Sequence, residues 1–475
     1  MKSICTSFLF AFLLSHSIAQ NIDFTLADPQ PEIFEVYYGT AALGDLDGDG
    51  DIDLVQSGIG ENLTGQSARV SVFLNNGAGQ FTITVQNFNN FWTTERTVMS
   101  DMDNDGDLDL IISGSNRTDF YKNDGQALFT YEPIAPFMPS DAGEIIIGDV
   151  DGDDDNDVIQ YGSLDQSNGF ATLFLNDDSG NFTQSMSAVF TPYINARIEF
   201  IDLEGDGDLD LLSFGENENG EAQMSIYEND GQGNFTLFID SNVNPLNAEK
   251  ISVGDIDNDG DEDFLISGLS DNSEPNTLLY LNDGSGQFST LINSPFPNIF
   301  AGSSAFSDLD NDGDLDLLLI GAEAGGIPNI HSIVFENLGN NVFLASDSLG
   351  GEYIAANAIA DLNGDGKKDI LIQGFVDDTN VYWNNTDIST GLREFLDVNI
   401  SVFPNPSNGN FKIQWDKTSI FNLFEIFDIQ GNRIYGETLS IQSAAEIELD
   451  IAPGSYSIRL TGENASANRS VLVEN

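Results

Sequence analysis

A nine-residue acidic segment, Asp-Leu-Asp-Gly-Asp-Gly-Asp-Ile-Asp at positions 45–53, returns six more times along the chain, its copies opening at Asp101, Asp149, Asp202, Asp255, Asp308 and Asp361. The intervals are 56, 48, 53, 53, 53 and 53 residues. A steady period of this size marks a repeat array whose units share one continuous core. Seven copies predict seven equivalent structural units.

The copies can be compared with one another. A glycine stands 13 residues after the first Asp of every copy: Gly58, Gly114, Gly162, Gly215, Gly268, Gly321 and Gly374. Between loop and glycine lies a short apolar run, such as Leu110-Ile111-Ile112 or Leu317-Leu318-Leu319, bounded by turn residues and best read as a buried strand, B. Another short apolar segment, such as Ile145-Ile146-Ile147, precedes each loop as strand A. After the glycine a variable loop leads to a third strand that closes on Asn, as in Leu279-Tyr280-Leu281-Asn282. A turn of the Asp283-Gly284-Ser285-Gly286 type then opens a fourth strand with Phe288. Four antiparallel strands per unit make a propeller blade. The fold class is therefore all-β: a seven-bladed β-propeller with calcium loops, followed by a small Ig-like β-sandwich.

The fourth strand also predicts how the ring closes. Its leading Phe precedes the next loop by 20 residues at Phe81, Phe129, Phe182, Phe235 and Phe288, and by 18 at Phe343. The seventh unit stops after Trp383-Asn384-Asn385 without this strand, while Phe24-Thr25 stands 21 residues before Asp45 with no blade ahead of it. The N-terminal strand is expected to complete blade seven and hide two sheet edges.

Numbered from one, the nonapeptides place carboxylates or Asn at positions 1, 3, 5 and 9, with Gly at 6 in six of seven copies. Hard cations such as calcium take 6 to 8 oxygens, which a tight turn can gather from alternate side chains and the position-7 carbonyl. Glycine at 6 permits the positive φ of such a turn. The candidate ligands are Asp45, Asp47, Asp49, Asp51 and Asp53; Asp101, Asp103, Asp105, Asp107 and Asp109; Asp149, Asp151, Asp153, Asp155 and Asp157; Asp202, Glu204, Asp206, Asp208 and Asp210; Asp255, Asp257, Asp259, Asp261 and Asp263; Asp308, Asp310, Asp312, Asp314 and Asp316; and Asp361, Asn363, Asp365, Lys367 and Asp369. Up to seven Ca2+ sites follow. An EF-hand is excluded, because position 12 is Gln56, Ile112, Gln160, Ser213, Ile266, Leu319 or Ile372 rather than Glu. Asp154 replaces the position-6 glycine of the third loop, and Glu204 lengthens position 3 of the fourth, so these two are expected to bind most weakly.

Composition supports this reading. The chain carries a formal charge of -63, and the seven loops hold 35 of its 78 acidic residues. Such a charge disfavours nucleic acid and anionic membranes as partners and invites cations. A basic Lys2, an apolar run from Phe8 to Leu14 and Ser17-Ile18-Ala19 read as a signal peptide over residues 1–19, and no later stretch is long and apolar enough for a helical span. The single cysteine, Cys5, falls within that signal.

The pattern DxDxDGxxDLLxxG followed by LYxNDGxGxF resembles the FG-GAP or VCBS repeat of integrin α-like propellers, over about residues 21 to 388. The resemblance implies a seven-bladed propeller with calcium in its hairpin loops, on a fold that hosts adhesion, carbohydrate binding and some lyases. The propeller is assigned to residues 20–388, a linker to 389–396 and a further β domain to 397–475, where the acidic and basic residues number 10 and 5. There VFPNPSNGNF, FDIQGNRIY and LDIAPGSYSIRL resemble the type A C-terminal sorting domain of type IX secretion cargo, although the end at Val471-Leu472-Val473-Glu474-Asn475 departs from that family's lysine-bearing tail. That resemblance implies export by the type IX secretion machinery to the exterior or outer surface of a Gram-negative bacterium.

His331 is the sole histidine outside the signal, so no Ser-His-Asp or Cys-His constellation can be assembled. The leading expectation is a secreted or cell-surface calcium-stabilised module for binding or adhesion to an extracellular protein or glycan. The alternatives are a calcium-dependent polysaccharide lyase and a purely structural surface component. In an antiparallel blade the A–B and C–D turns share one face, leaving the variable B–C and D–A loops on the other. Aromatics in or near the D–A connections, namely Phe88, Phe91, Trp92, Tyr131, Phe137, Tyr193, Phe296 and Phe300, are candidates for recognition.

Overall fold

In the computed structural model the chain divides into two compact units, 1–387 and 388–475. It describes residues 22–386 apart from short connecting stretches, together with seven strands between 401 and 473. The signal-peptide and linker assignments lie outside the described residues.

The first unit holds seven four-stranded antiparallel sheets. In blade one, strands A to D are Ala41–Gly44, Asp53–Asn62, Gly65–Leu74 and Thr82–Ile83, in that spatial order. The same order recurs from Arg96–Ser100 in blade two to Phe300–Ser307 in blade six, the opening A strands. Each strand A packs beside those of both neighbouring blades, including blade seven against blade one, so the A strands line the centre of a closed ring.

Blade seven contains Ala356–Ala360, Asp369–Gln373 and Thr379–Asn384, and its fourth strand is Phe24–Leu26, some 350 residues away in sequence. Phe24 pairs with Asn384, Thr25 with Trp383 and Leu26 with Tyr382. The segment also reaches blade six, where Ile22 N donates to Ser346 Oγ at 3.0 Å and Phe24 N to Asp347 Oδ2 at 2.9 Å. The chain's two propeller ends thus share a sheet, as the position of Phe24 predicts.

Strand B reads as an unbroken apolar run because both of its faces are covered by neighbouring blades. Leu54, Val55, Leu110, Ile111 and Ile112 are fully buried. The core is accordingly a set of layers between blades. One layer joins Ile111 and Phe120 of blade two to Ile145, Val158 and Phe174 of blade three. Another closes the ring, joining Leu54, Phe73 and Phe81 of blade one to Leu362, Leu371 and Val381 of blade seven. The recurring glycine near the end of strand B has a steric reason in blade five: a Cβ on Gly268 would lie 2.1 Å from the carbonyl oxygen of Asn247 on the paired strand A.

The second unit has a three-stranded sheet, Ser401–Phe403, Asn410–Gln414 and Ala444–Glu448, and a four-stranded sheet, Arg433–Thr438, Leu423–Phe427, Gly454–Gly462 and Ala465–Val473. Ile413 and Ile426, one from each sheet, are fully buried. Among the described residues no helix is long and apolar enough to cross a membrane.

Phe24 is 7% exposed in the layer between blades six and seven. Phe24→Ala is expected to cost about 3 kcal/mol, measured by urea unfolding; an unchanged midpoint would mean that the N-terminal strand does not close the ring.

Candidate metal centres

Each acidic loop follows strand A and delivers position 9 as the first residue of strand B. The turn is built by its own carboxylates. In loop one Asp45 accepts the N–H of Gly48 at 2.8 Å and of Gly50 at 3.0 Å, and Asp49 accepts that of Asp51 at 3.0 Å. Two positions take positive φ. Position 6 is glycine, at φ +92° in Gly50, or Asp154 at φ +70° in loop three. Position 4 is always Gly or Asn, as in Gly48 at φ +74° and Asn104 at φ +53°. These residue types tolerate the left-handed region best, so the alternation at position 4 was a readable signal that position 6 alone did not exhaust.

The position-9 aspartates are fully buried and make the same pair of hydrogen bonds in all seven blades. Asp53 Oδ2 accepts the N–H of Leu46, at position 2, at 2.9 Å, while Oδ1 accepts the N–H of Asn75, the residue closing strand C, at 2.8 Å. Asp109, Asp157, Asp210, Asp263, Asp316 and Asp369 repeat this with Asn123, Asn176, Asn229, Asn282, Asn337 and Asn384.

Each of these asparagines then reaches out of its own blade. Asn123 Nδ2 donates to the carbonyl of Leu46 in blade one at 2.9 Å, and Asn75 Nδ2 donates to that of Leu362 in blade seven at 2.8 Å. The other five make the equivalent bond to position 2 of the preceding loop. A closed circle of aspartate, asparagine and backbone therefore runs around the ring beneath the loops.

Side-chain oxygens of three carboxylates converge to within 4.8 Å of one another in five loops: Asp45, Asp47 and Asp53; Asp101, Asp103 and Asp109; Asp149, Asp151 and Asp157; Asp255, Asp257 and Asp259; and Asp308, Asp310 and Asp316. Loops four and seven are not among these groups. In each of the five, position 3 keeps a buried oxygen with no hydrogen-bond donor: Asp47 Oδ1, Asp103 Oδ1, Asp151 Oδ1, Asp257 Oδ1 and Asp310 Oδ2. Such an all-oxygen set with an unsatisfied buried acceptor fits a hard cation. The position-7 carboxylates Asp51, Asp107, Asp208 and Asp261 lie elsewhere, against the C–D turn glycines Gly77, Gly125, Gly231 and Gly284. Asp154 does not prevent loop three from converging.

Comparison with known proteins agrees with this architecture. A family profile described as FG-GAP-like repeat matches residues 45–112, 101–160, 202–266 and 255–319, the stretches containing these loops. The repeats are FG-GAP-like repeats. The profile of a secretion system C-terminal sorting domain matches residues 401–474, so the chain carries an address for the cell exterior or surface. A search of curated proteins finds no match. Similar solved structures include an Agrocybe aegerita lectin specific for non-reducing terminal N-acetylglucosamine (18% identity, TM-score 0.48, covering 72% of this chain and 86% of that one). They also include an Aleuria aurantia lectin (10%, 0.37, 67% and 97%) and an exotype rhamnogalacturonan lyase (12%, 0.34, 95% and 76%). At these scores the likeness bears on neither blade number nor ligand.

Burial dominates the electrostatics of the FG-GAP-like loops. It pushes the position-9 carboxyls up to about 6 in Asp53 and Asp369 and to about 7 in Asp109, Asp157, Asp210, Asp263 and Asp316, against the lowering effect of their two N–H donors. Asp310 rises to about 9, through burial first and then the charges of Asp316 and Asp312.

The aromatics proposed for recognition belong mostly to the core. Phe88 packs on Tyr121 and Phe129 at centroid distances of 5.1 and 5.9 Å, Phe137 on Phe174 and Phe182 at 5.3 and 4.9 Å, and Phe296 on Phe335 and Phe343 at 5.1 Å each. The D–A connection of one blade thus inserts its ring between strands C and D of the next. Tyr193 is buried with its hydroxyl 2.6 Å from Ser225 Oγ, Phe300 is half-buried, and Tyr131 is exposed with its ring tilted against Tyr121 at a centroid distance of 5.5 Å. Phe91 and Trp92 lie outside the described residues.

Asn282→Ala would leave the buried carbonyl of Leu203 without its donor, a loss expected to cost about 2 kcal/mol; in contrast, Asn234→Ala on an exposed turn should stay within about 0.5 kcal/mol. Parallel denaturant titrations compare the two, and equal effects would remove the circle's structural role. The raised carboxyls favour their protonated form in the folded state, so metal-stripped protein should gain stability as pH falls from about 7 towards the ordinary carboxylate range, 3.8. Thermal melts of stripped protein at pH 8 and pH 5 read this directly, with the higher midpoint expected at pH 5.

Proposed function

We propose that this chain is an exported, calcium-stabilised propeller that acts as a binding or adhesion module for an extracellular protein or glycan. The observation that carries the proposal is the division of labour between the two faces. On one face every loop is committed to holding the ring through the shared circle of Asp and Asn, and five of them also gather converging carboxylates. On the other, the B–C hairpins differ from blade to blade. Strands B and C of blade one run ten residues each, Asp53–Asn62 and Gly65–Leu74, whereas those of blade two run six, Asp109–Gly114 and Arg117–Lys122. A rigid scaffold with one uniform and one variable face is the usual arrangement for recognition by loops.

Calcium is the cation of choice because the donors are carboxylates alone and the loops supply several each. His331, half-exposed on blade six, places Nε2 3.5 Å from Glu323 Oε1. The ligand is placed on the B–C and D–A face, and the sorting domain brings that face to the cell exterior or surface, with the secretion machinery as the second partner.

A cation held at ten times its dissociation constant contributes about 1.4 kcal/mol per site, so excess chelator should lower the melting midpoint by about 10 °C or more. An unchanged midpoint would exclude calcium as the staple. Calcium-loaded protein is then tested on arrays of glycans and extracellular proteins. The reading predicts a ligand whose binding is lost when residues 60–67 are replaced by a two-residue turn at unchanged melting temperature; no ligand on either array would overturn it.

A further inference from the structure

The seven acidic loops are not equivalent, and one position outside them also differs in charge from blade to blade. The residue immediately before the strand-C asparagine is apolar in four blades, Leu74, Leu175, Leu281 and Trp383, but charged in three, as Lys122, Glu228 and Glu336. Lys122 meets position 3 of its own blade's loop directly, and the charges of Glu228 and Glu336 act on position 3 of theirs. Lys122 Nζ lies 2.8 Å from Asp103 Oδ2 and also donates to the carbonyl of Ser179 in blade three at 2.9 Å. In blade four, burial first and then the charge of Glu228 raise the carboxyl of Glu204. Glu336 is 2% exposed, and its charge adds to those of Asp316 and Asp312 on the fully buried Asp310 of the same blade.

We propose that this position sets the cation demand of each loop: Glu336 supplies an additional oxygen ligand to the calcium site of loop six, and the Lys122 ammonium stands in for the ion in loop two. The inference rests on the calcium reading above. In loop six the fully buried Asp310 keeps Oδ2 without a donor, and the buried Asp312 Oδ2 is likewise unpartnered, so the oxygens of positions 3 and 5 are both available to an ion. Adding Glu336 gives this site a fourth buried or half-buried carboxylate beyond Asp308, and calcium affinity climbs with ligand charge. In loop two Asp103 keeps Oδ1 without a donor, as position 3 does in the other converging loops, but its Oδ2 already carries the Lys122 ammonium. The ammonium neutralises part of the charge and opposes a divalent ion at close range. Because loop three converges without such a cation, loop two rather than loop three takes the weak end of the series.

Calcium titration calorimetry of the full chain, with circular dichroism to verify folding, tests the proposal on Lys122→Leu and Glu336→Leu. Lys122→Leu is expected to add one binding equivalent or tighten one class of site by ten-fold or more; Glu336→Leu is expected to weaken the tightest class by at least ten-fold. Should Lys122→Leu fail to fold, Lys122→Gln removes the charge while keeping a donor for Ser179. Folded variants with wild-type isotherms would overturn the proposal while leaving the calcium reading intact. Wild-type protein that takes up no calcium would overturn both.

Discussion

The fold depends on a buried aspartate at the start of each strand B. With its two oxygens this carboxylate holds the N–H of the loop's second residue and the N–H of the asparagine that ends strand C. It thereby locks the acidic loop and the C–D turn of its own blade into one rigid corner. The asparagine passes the constraint on, since its amide binds the second-residue carbonyl of the preceding blade. That residue is an apolar, buried one in all seven copies, Leu46, Met102, Val150, Leu203, Ile256, Leu309 and Leu362. Register within a blade and spacing between blades are thus fixed by the same polar pair, seated in a dry layer where leaving any member unpaired is costly.

Burying seven carboxylates in a chain already so negative has an electrostatic consequence. Each lies near further carboxylates of its own loop, and burial favours the neutral form of the position-9 aspartate. Two remedies are visible in the structure. One is local and covalently built in, the Lys122 ammonium on Asp103. The other is a set of buried carboxylate oxygens that face no donor, most clearly around Asp310, an arrangement that fits a hard cation. A ring held by this circle of polar contacts can leave its opposite face free to vary, because hairpin length there does not disturb the layers that join the blades.

Much of this was legible from the chain's internal repetition. Seven copies of one pattern permit comparison of equivalent positions, which exposed the blade, its four strands, the turn-forming glycine at position 6 and the missing outer strand that Phe24–Leu26 supplies. The recurrent asparagine was visible as the end of strand C, and Gly or Asn at position 4 was visible as a pattern. The aromatics were misjudged for a physical reason. Phe88, Phe137 and Phe296 occur in connections, which ordinarily run over the surface, yet each connection crosses to the next blade and its ring fills the space between two sheets.

The sequence by itself determined the number of units, the order of strands within each, the all-oxygen chemistry of the loops and the way the ring is closed, because all of these repeat at fixed short offsets. Only the tertiary structure decided what the repeated residues do to their neighbours. Asn123 meets Leu46 across 77 residues and Asn75 meets Leu362 across 287. Lys122 and Glu336 acquire meaning only when strand C folds back beside position 3 of the loop. Periodicity records what each blade has in common; which side chains meet across a blade boundary, and which site carries an extra charge, is settled by the packing of seven sheets around one centre.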